Sequence, residues 1–392
     1  MDVMERERIP GGLVPASPRA PSGVHTGPAI HRAPAPTTVP PPCAPQRRSV
    51  GAGPFPGGWQ PLTGDALLER VRVTGRPRPP ADPERAARLR RCIEDGMVPG
   101  DDDPPDPPPL HPGVDGSLPG RGHPLVVTKD RVTRVLACEA HHVAAEFGER
   151  TPTTALAVGA LVDTLFRQLV TTGSIDDPMT DGLDGLSMDE RQADLVAWIG
   201  RLPRTERDGV RAEVDRQAEE LRNRWPRLDP VWLPRTQEVM RTRLVGGAVE
   251  LSARVDLAVG RPEDDRSSVA LIEVKSGTRR IEHRADLHFY ALVATLRNPA
   301  PPFAVATYYT RTGELDVDPV TDELLAASAR RTLAGIRRLR YLAAGAAAGR
   351  SPGAPCGPCA VLPGCAPGRR HTGAATVARG QAAIPTPAQR AR

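Results

Sequence analysis

The chain has 392 residues, enough for one large domain or two modest ones. Aromatic residues make up only 3%, so a core has to be built from Leu, Val, Ala and Ile. The net charge of +5 permits a nucleic-acid partner without establishing one. No secretory leader or membrane span is legible, which predicts a cytoplasmic protein whose thiols stay reduced.

The 45 Pro and 37 Gly are unevenly spread. Residues 1–60 are Pro/Gly/Arg-rich and lack apolar periodicity, which predicts disorder. Residues 61–122 read as a weakly ordered helical segment and a linker. Short helices are expected over 64–73 and 83–95, the second stopped by Gly96, and the Pro-rich run 101–113 should be stiff. A folded domain is expected over 123–366, followed by a flexible tail, 367–392.

Within that domain, Thr128 is placed to cap a helix running to about residue 147. Further helices are predicted over 155–170, 188–199 and 205–224. The pattern then changes. Runs 238–245 and 248–259 read as a hairpin around Gly246-Gly247, and 269–275 as a buried strand. A helix over 284–296, a strand over 303–310 and a helix over 321–344 complete the series. This order predicts an α/β domain with a mixed central sheet flanked by helices.

The strand pair carries candidate chemistry. Asp256 lies on the second hairpin strand. Glu273 and Lys275 lie two apart on the next strand, so they share a face while Val274 points into the opposite core. Bringing these strands side by side would place Asp256 next to Glu273. Two carboxylates with the Val274 carbonyl suit Mg²⁺ or Mn²⁺, which can polarise a phosphodiester and activate water. Lys275 would orient that water or stabilise developing charge. Of 52 Lys+Arg only Lys129 and Lys275 are Lys; a forked guanidinium would serve less well here. The alternative reading is a structural Glu/Lys pair on a strand edge. On the following helix Asp286 and Tyr290 share a face as candidate substrate-binding residues, with His283 and His288 nearby; packing is the alternative role for Tyr290. Arg279, Arg280 and Arg284 are candidates to meet phosphates.

Six Cys occupy positions 43, 92, 138, 356, 359 and 365. The spacing Cys356-x2-Cys359-x5-Cys365 in a Gly/Pro loop reads as three metal ligands, with Cys138 the favoured fourth. Four thiolates suit either Zn²⁺ or an iron–sulfur cluster. Such a centre would tie together chain segments more than 200 residues apart.

Together these residues resemble the PD-(D/E)XK nuclease superfamily, and within it the RecB/AddB-like nucleases that carry a four-cysteine iron–sulfur staple. The resemblance runs from Cys138 to Cys365, about 60% of the chain. It implies a restriction-endonuclease-like fold, Mg²⁺ or Mn²⁺ on Asp256 and Glu273, a catalytic Lys275, and a [4Fe–4S] cluster on the four cysteines. It also implies DNA as the partner, in repair, recombination or defence, with any helicase motor on a separate chain because no P-loop is present. Three positions depart from the family pattern. Its His falls at Asp163, itself a hard-metal ligand. Its Gln falls at Asp286, where a carboxylate would repel phosphate. Its Gly before the strand Asp is Ala253. The competing expectation is a catalytically degenerate nuclease fold that binds DNA or a helicase.

Overall fold

The computed structural model describes residues 81–97, 124–148, 152–261 and 267–373. The segment 1–60, the helical pattern over 64–73, the linker 101–113 and the tail beyond 373 lie outside the described residues.

Helix α1 (Pro83–Asp95) starts where Asp82 accepts the Glu84 N–H, with Pro83 at its first position. Its Leu89, Cys92 and Ile93 are buried in the same core as residues of the later helices. A three-residue strand, β1 (Leu125–Val127), leads through Thr128 into α2 (Lys129–Ala137). The Thr128 hydroxyl accepts the Arg131 N–H at 3.3 Å, as the capping pattern predicts. The helix does not run on to residue 147 unbroken. Cys138 is extended (φ −166°, ψ 118°) and divides α2 from α3 (Glu139–Phe147). Long-range bonds hold the second piece in its own direction. Ala140 N–H donates to the Gly349 carbonyl at 3.0 Å, and Gly349 N–H donates to Glu139 Oε2 at 2.7 Å.

Four helices form one layer: α4 (Thr154–Thr172), α5 (Pro178–Ser187), α6 (Ala193–Arg201) and α7 (Arg204–Arg224). By length and apolarity alone α4 could cross a membrane. Here its Ala157, Leu161, Val162, Leu165 and Phe166 are fully buried in the protein core. Helix α5 escapes sequence reading because Gly182 and Gly185 look like breakers. They serve close packing instead: a Cβ at Gly182 would lie 2.9 Å from Leu161 Cδ2, and one at Gly185 2.3 Å from Thr164 Cγ2. Helix α6 begins at residue 193 rather than 188, after a 3₁₀ turn at Glu190–Gln192.

The sheet contains β2 (Arg235–Leu244), β3 (Val249–Val259), β4 (Ala270–Lys275), β5 (Ala304–Tyr309) and β6 (Glu314–Pro319) in addition to β1. Helix α8 (Glu282–Arg297) crosses between the parallel β4 and β5. Helix α9 (Asp322–Ala343) follows β6, the antiparallel partner of β5. One core packs α1, α2, α8 and α9 on one face of the sheet; the other packs α4 to α7 on the opposite face. The result is a mixed sheet between two helical layers, the α/β class expected from the element order and consistent with the restriction-endonuclease-like fold that the resemblance implies.

Candidate active site and cysteine centre

The strand register creates the site. β2 occupies one edge of β3 from Leu244↔Val249 to Arg235↔Ala258. The other edge therefore holds both remaining partners. β1 runs parallel at 249–251, and β4 runs antiparallel at 257–259. Between them, residues 252–256 of β3 have no ladder partner on that edge, and both neighbouring strands end pointing into the gap. β1 delivers Lys129 one residue past its Thr128 cap. β4 delivers Glu273 and Lys275. β3 supplies Asp256 from within the gap.

β3 also changes face there. Val249, Leu251, Ala253 and Val255 join the core under α8 and α9, whereas Leu257 and Val259 join the opposite one. The alternation breaks at Asp256, and the facing Gln237 has φ +53°, a left-handed conformation uncommon for Gln. Strain of this kind concentrates at functional sites. Gln237 Nε2 donates to Asp256 Oδ1 at 3.4 Å, and Val274 N–H donates to Oδ2 at 2.7 Å. The side-chain bond thus continues the β3–β4 ladder beyond its last backbone pair.

Glu273 is 4% exposed. Its Oε1 accepts from Lys275 Nζ at 2.7 Å and also from Lys129 Nζ. Both lysines of the chain therefore meet on one carboxylate oxygen. Its Oε2 is buried and has no hydrogen-bond partner among the described residues. Asp163, on α4, pairs with Arg167 at 3.2 Å and lines a cavity of about 240 Å³ with Lys275, Ser276 and His283. Gly159, one turn earlier, lets α4 approach this cavity wall: a Cβ there would sit 3.3 Å from Ser276 Oγ. Asp163 also lines a second cavity, of about 320 Å³, whose walls include Arg167, Arg191 and Arg254.

The electrostatics is that of a crowded anionic site. Burial pushes the Asp256 carboxyl well above the usual range, and the charges of Glu273 and Asp163 push it further. Burial raises Asp163 as well, against the pull of Arg167. Burial would also raise Glu273, but Lys129 and Lys275 outweigh it and hold the carboxyl at about 2. Burial alone would lower Lys129; Glu273 outweighs it and raises the ammonium well above its ordinary value. His283 is lowered to about 4 by burial and by Lys275, so it is neutral near pH 7.

The other candidate residues are placed differently. Tyr290 is buried at 1% exposure, with the Lys129 ammonium 5.0 Å from its ring centroid. Asp286 is also buried; it lies 3.9 Å from Lys129 Nζ and accepts from Thr133 Oγ1 at 3.1 Å. Arg279 is on the surface, its guanidinium paired with both carboxylate oxygens of Asp316. Arg284 pairs likewise with Asp318. Lys129 was not among the site residues expected from sequence. The signal was its rarity: it is the one Lys besides Lys275 in an Arg-dominated chain.

Among the described residues, no group of three or more His, Cys, Asp or Glu is spaced to close on a single ion. The donor chemistry at Asp163, Asp256 and Glu273 nevertheless fits a hard divalent cation. These are oxygen donors under mutual repulsion, and the buried Oε2 of Glu273 has no hydrogen-bond partner among the described residues.

The four cysteines 138, 356, 359 and 365 line one small cavity, together with His141, Pro352 and Gly368. None of the four is in a disulfide. Cys138 reaches it because it interrupts the helix. Cys356 ends a 3₁₀ turn, Ala354–Cys356, and Cys365 stands immediately before a helix over 366–373. Backbone donors serve two sulfurs: Gly353 N–H to Cys356 Sγ at 3.3 Å and Gly368 N–H to Cys365 Sγ at 3.4 Å. A Cβ at Gly368 would lie 3.2 Å from Cys365 Sγ and 3.5 Å from Cys356 Sγ, so a larger residue there would crowd Cys365. Four sulfurs around one cavity, two of them accepting backbone N–H groups, are the donor set of a thiolate-bound metal centre.

No family model matches the chain, and no curated protein matches it. Among solved structures it is similar to the crystal structure of a "Putative exonuclease" from Eubacterium rectale. The TM-score is 0.35 and the identity 13%, over 58% of this chain and 84% of that chain.

Proposed function

We propose that this protein is a metal-dependent DNA nuclease of the PD-(D/E)XK type, RecB/AddB-like, acting on single-stranded or end-exposed DNA in repair, recombination or defence. The observation that carries the reading is the convergence of Asp163, Asp256, Glu273 and Lys275 at the gap between β1 and β4, beside an open cavity. Asp256 and Glu273, with Asp163, hold Mg²⁺ or Mn²⁺. Such an ion supplies Lewis-acid polarisation of the phosphodiester and lowers the pKa of bound water. Lys275 orients the attacking water and offsets charge developing on the phosphate. Arg167, Arg191 and Arg254 around the adjoining cavity suit a phosphate backbone. Cys138, Cys356, Cys359 and Cys365 hold a [4Fe–4S] cluster as a structural staple, with Zn²⁺ as the chemical alternative.

The test uses anaerobically purified full-length protein with labelled single-stranded, blunt and gapped DNA. Cleavage should require Mg²⁺ or Mn²⁺, and Lys275→Ala should lower its rate by at least about 10²-fold. No metal-dependent cleavage of any DNA form would overturn the reading. One observation favours a second reading, a degenerate fold that binds DNA without cutting it. Lys129, Lys275 and Arg167 already satisfy much of the carboxylate charge. Chelator-insensitive DNA binding without cleavage would select it.

A further inference from the structure

Lys129 stands in an unusual place. It starts α2, is held 13% exposed by side chain, and touches three groups of the site at once. These are Glu273 Oε1, Asp286 Oδ2 at 3.9 Å and the Tyr290 ring. A compact ammonium fits this position; a planar, forked guanidinium matches a carboxylate edge and not a single shared oxygen. In a chain where nearly every cation is Arg, the two exceptions share one oxygen atom.

The arithmetic of charge explains the second lysine. Asp163, Asp256, Glu273 and Asp286 bring four carboxyl groups into a largely buried region. Lys275 and Arg167 offset two of them. Like charges in low dielectric repel strongly, and a further cation lessens that repulsion. Lys129 supplies it from the strand-end position that β1 provides.

We propose that Lys129 is the resident counter-charge of the metal-free active site and that it sets how tightly a divalent cation is held there. This rests on the nuclease reading only for the presence of a metal site. Lys275 still holds Glu273 Oε1 when Lys129 is replaced, so the carboxylate keeps its orientation and the site loses one positive charge. Removing that charge favours a competing cation. At a separation of a few ångströms and the effective dielectric of a protein site, the gain is about tenfold or more in affinity. A residue needed only for packing would instead weaken metal binding when removed.

The experiment titrates Mn²⁺ into full-length protein and follows the free-ion paramagnetic resonance signal, for wild type, Lys129→Met and Lys129→Gln. Gln keeps a polar N–H donor but carries no charge, so it guards against a folding defect in the Met variant. Both variants should bind Mn²⁺ about tenfold or more tightly. Their metal-free melting temperatures should fall, and saturating Mn²⁺ should restore most of the loss. An unchanged or weaker Mn²⁺ affinity in Lys129→Gln, with wild type binding normally, overturns this proposal and leaves the nuclease reading standing. No Mn²⁺ binding by wild type overturns both.

Discussion

At the scale of single residues, the site stores unfavourable energy in Asp256. Its carboxyl is raised in the folded state by burial, then by Glu273 and Asp163. A carboxyl with a folded pKa above its unfolded value costs stability once the pH exceeds the unfolded value, near 3.8. The cost grows until the folded pKa is reached. Glu273, held at about 2, contributes stability of the opposite sign. That contribution is present above its unfolded value, near 4.5, and is lost only as pH falls toward 2. Between pH 5 and 7 the Asp256 cost therefore governs this pair. Asp256→Asn should raise the metal-free melting temperature by about 2–4 °C at pH 7, and by less at pH 5. The same variant should lose stabilisation by Mn²⁺. Differential scanning calorimetry at the two pH values checks this; a lower melting temperature at pH 7 would contradict it. Asp256, Glu273 and Lys275 were legible in sequence because a period of two makes neighbours on a strand face predictable. Lys129 was not placed beside them, because its position depends on β1 pairing with a strand more than 120 residues later.

At the scale of elements, the failures of sequence reading have distinct physical causes. β1 has only three residues, too few for any periodicity to register. β6 reads Glu-Leu-Asp-Val-Asp-Pro, a polar edge strand whose Asp316 and Asp318 are satisfied by Arg279 and Arg284 rather than by burial. The helix from Thr128 breaks at Cys138 for reasons that lie in the Gly349 segment. α5 forms despite two glycines because α4 packs against both. This last case makes a prediction. Gly185→Leu would drive its side chain into Thr164 on α4 and should cost about 1–3 kcal/mol. Urea denaturation should show a lower midpoint with an unchanged slope, whereas Gly200→Leu, where a Cβ meets open space, should change the midpoint little. Equal midpoints for the two variants would refute the packing role. The major strands and helices of the domain, by contrast, were readable from apolar patterning: the helices bury one periodic face, and β4 and β5 are short apolar runs buried along most of their length.

At the scale of the molecule, the four cysteines bring distant segments around one cavity. Cys138 follows the first helix of the domain layer, and the other three cysteines follow α9. Cross-linking a loop of more than 200 residues restricts the unfolded chain strongly. Anaerobically purified protein should be brown, with a broad band near ~400 nm and bound iron. Cys138→Ser should abolish both and lower the melting temperature by several degrees. A colourless wild-type protein containing zinc would exchange the cluster for a Cys₄ zinc site and keep the staple. Protein free of both metals, with Cys138→Ser unaltered in stability, would remove the staple altogether. The cysteine spacing was legible in sequence. The approach of Cys138 to the other three was not, since it depends on the helix break.

The scarcity of lysine has a practical consequence. Both side-chain amines of the chain sit on Glu273, so a reagent selective for primary amines has little besides this one locus to report on. Reductive methylation with a ¹³C label would confine the side-chain resonances to this locus, led by the more exposed Lys275, and their chemical shifts would record a ligand arriving there without interference from the remaining surface. Elsewhere a general protein stain, amine chemistry becomes in this molecule a spectroscopic window on a single carboxylate.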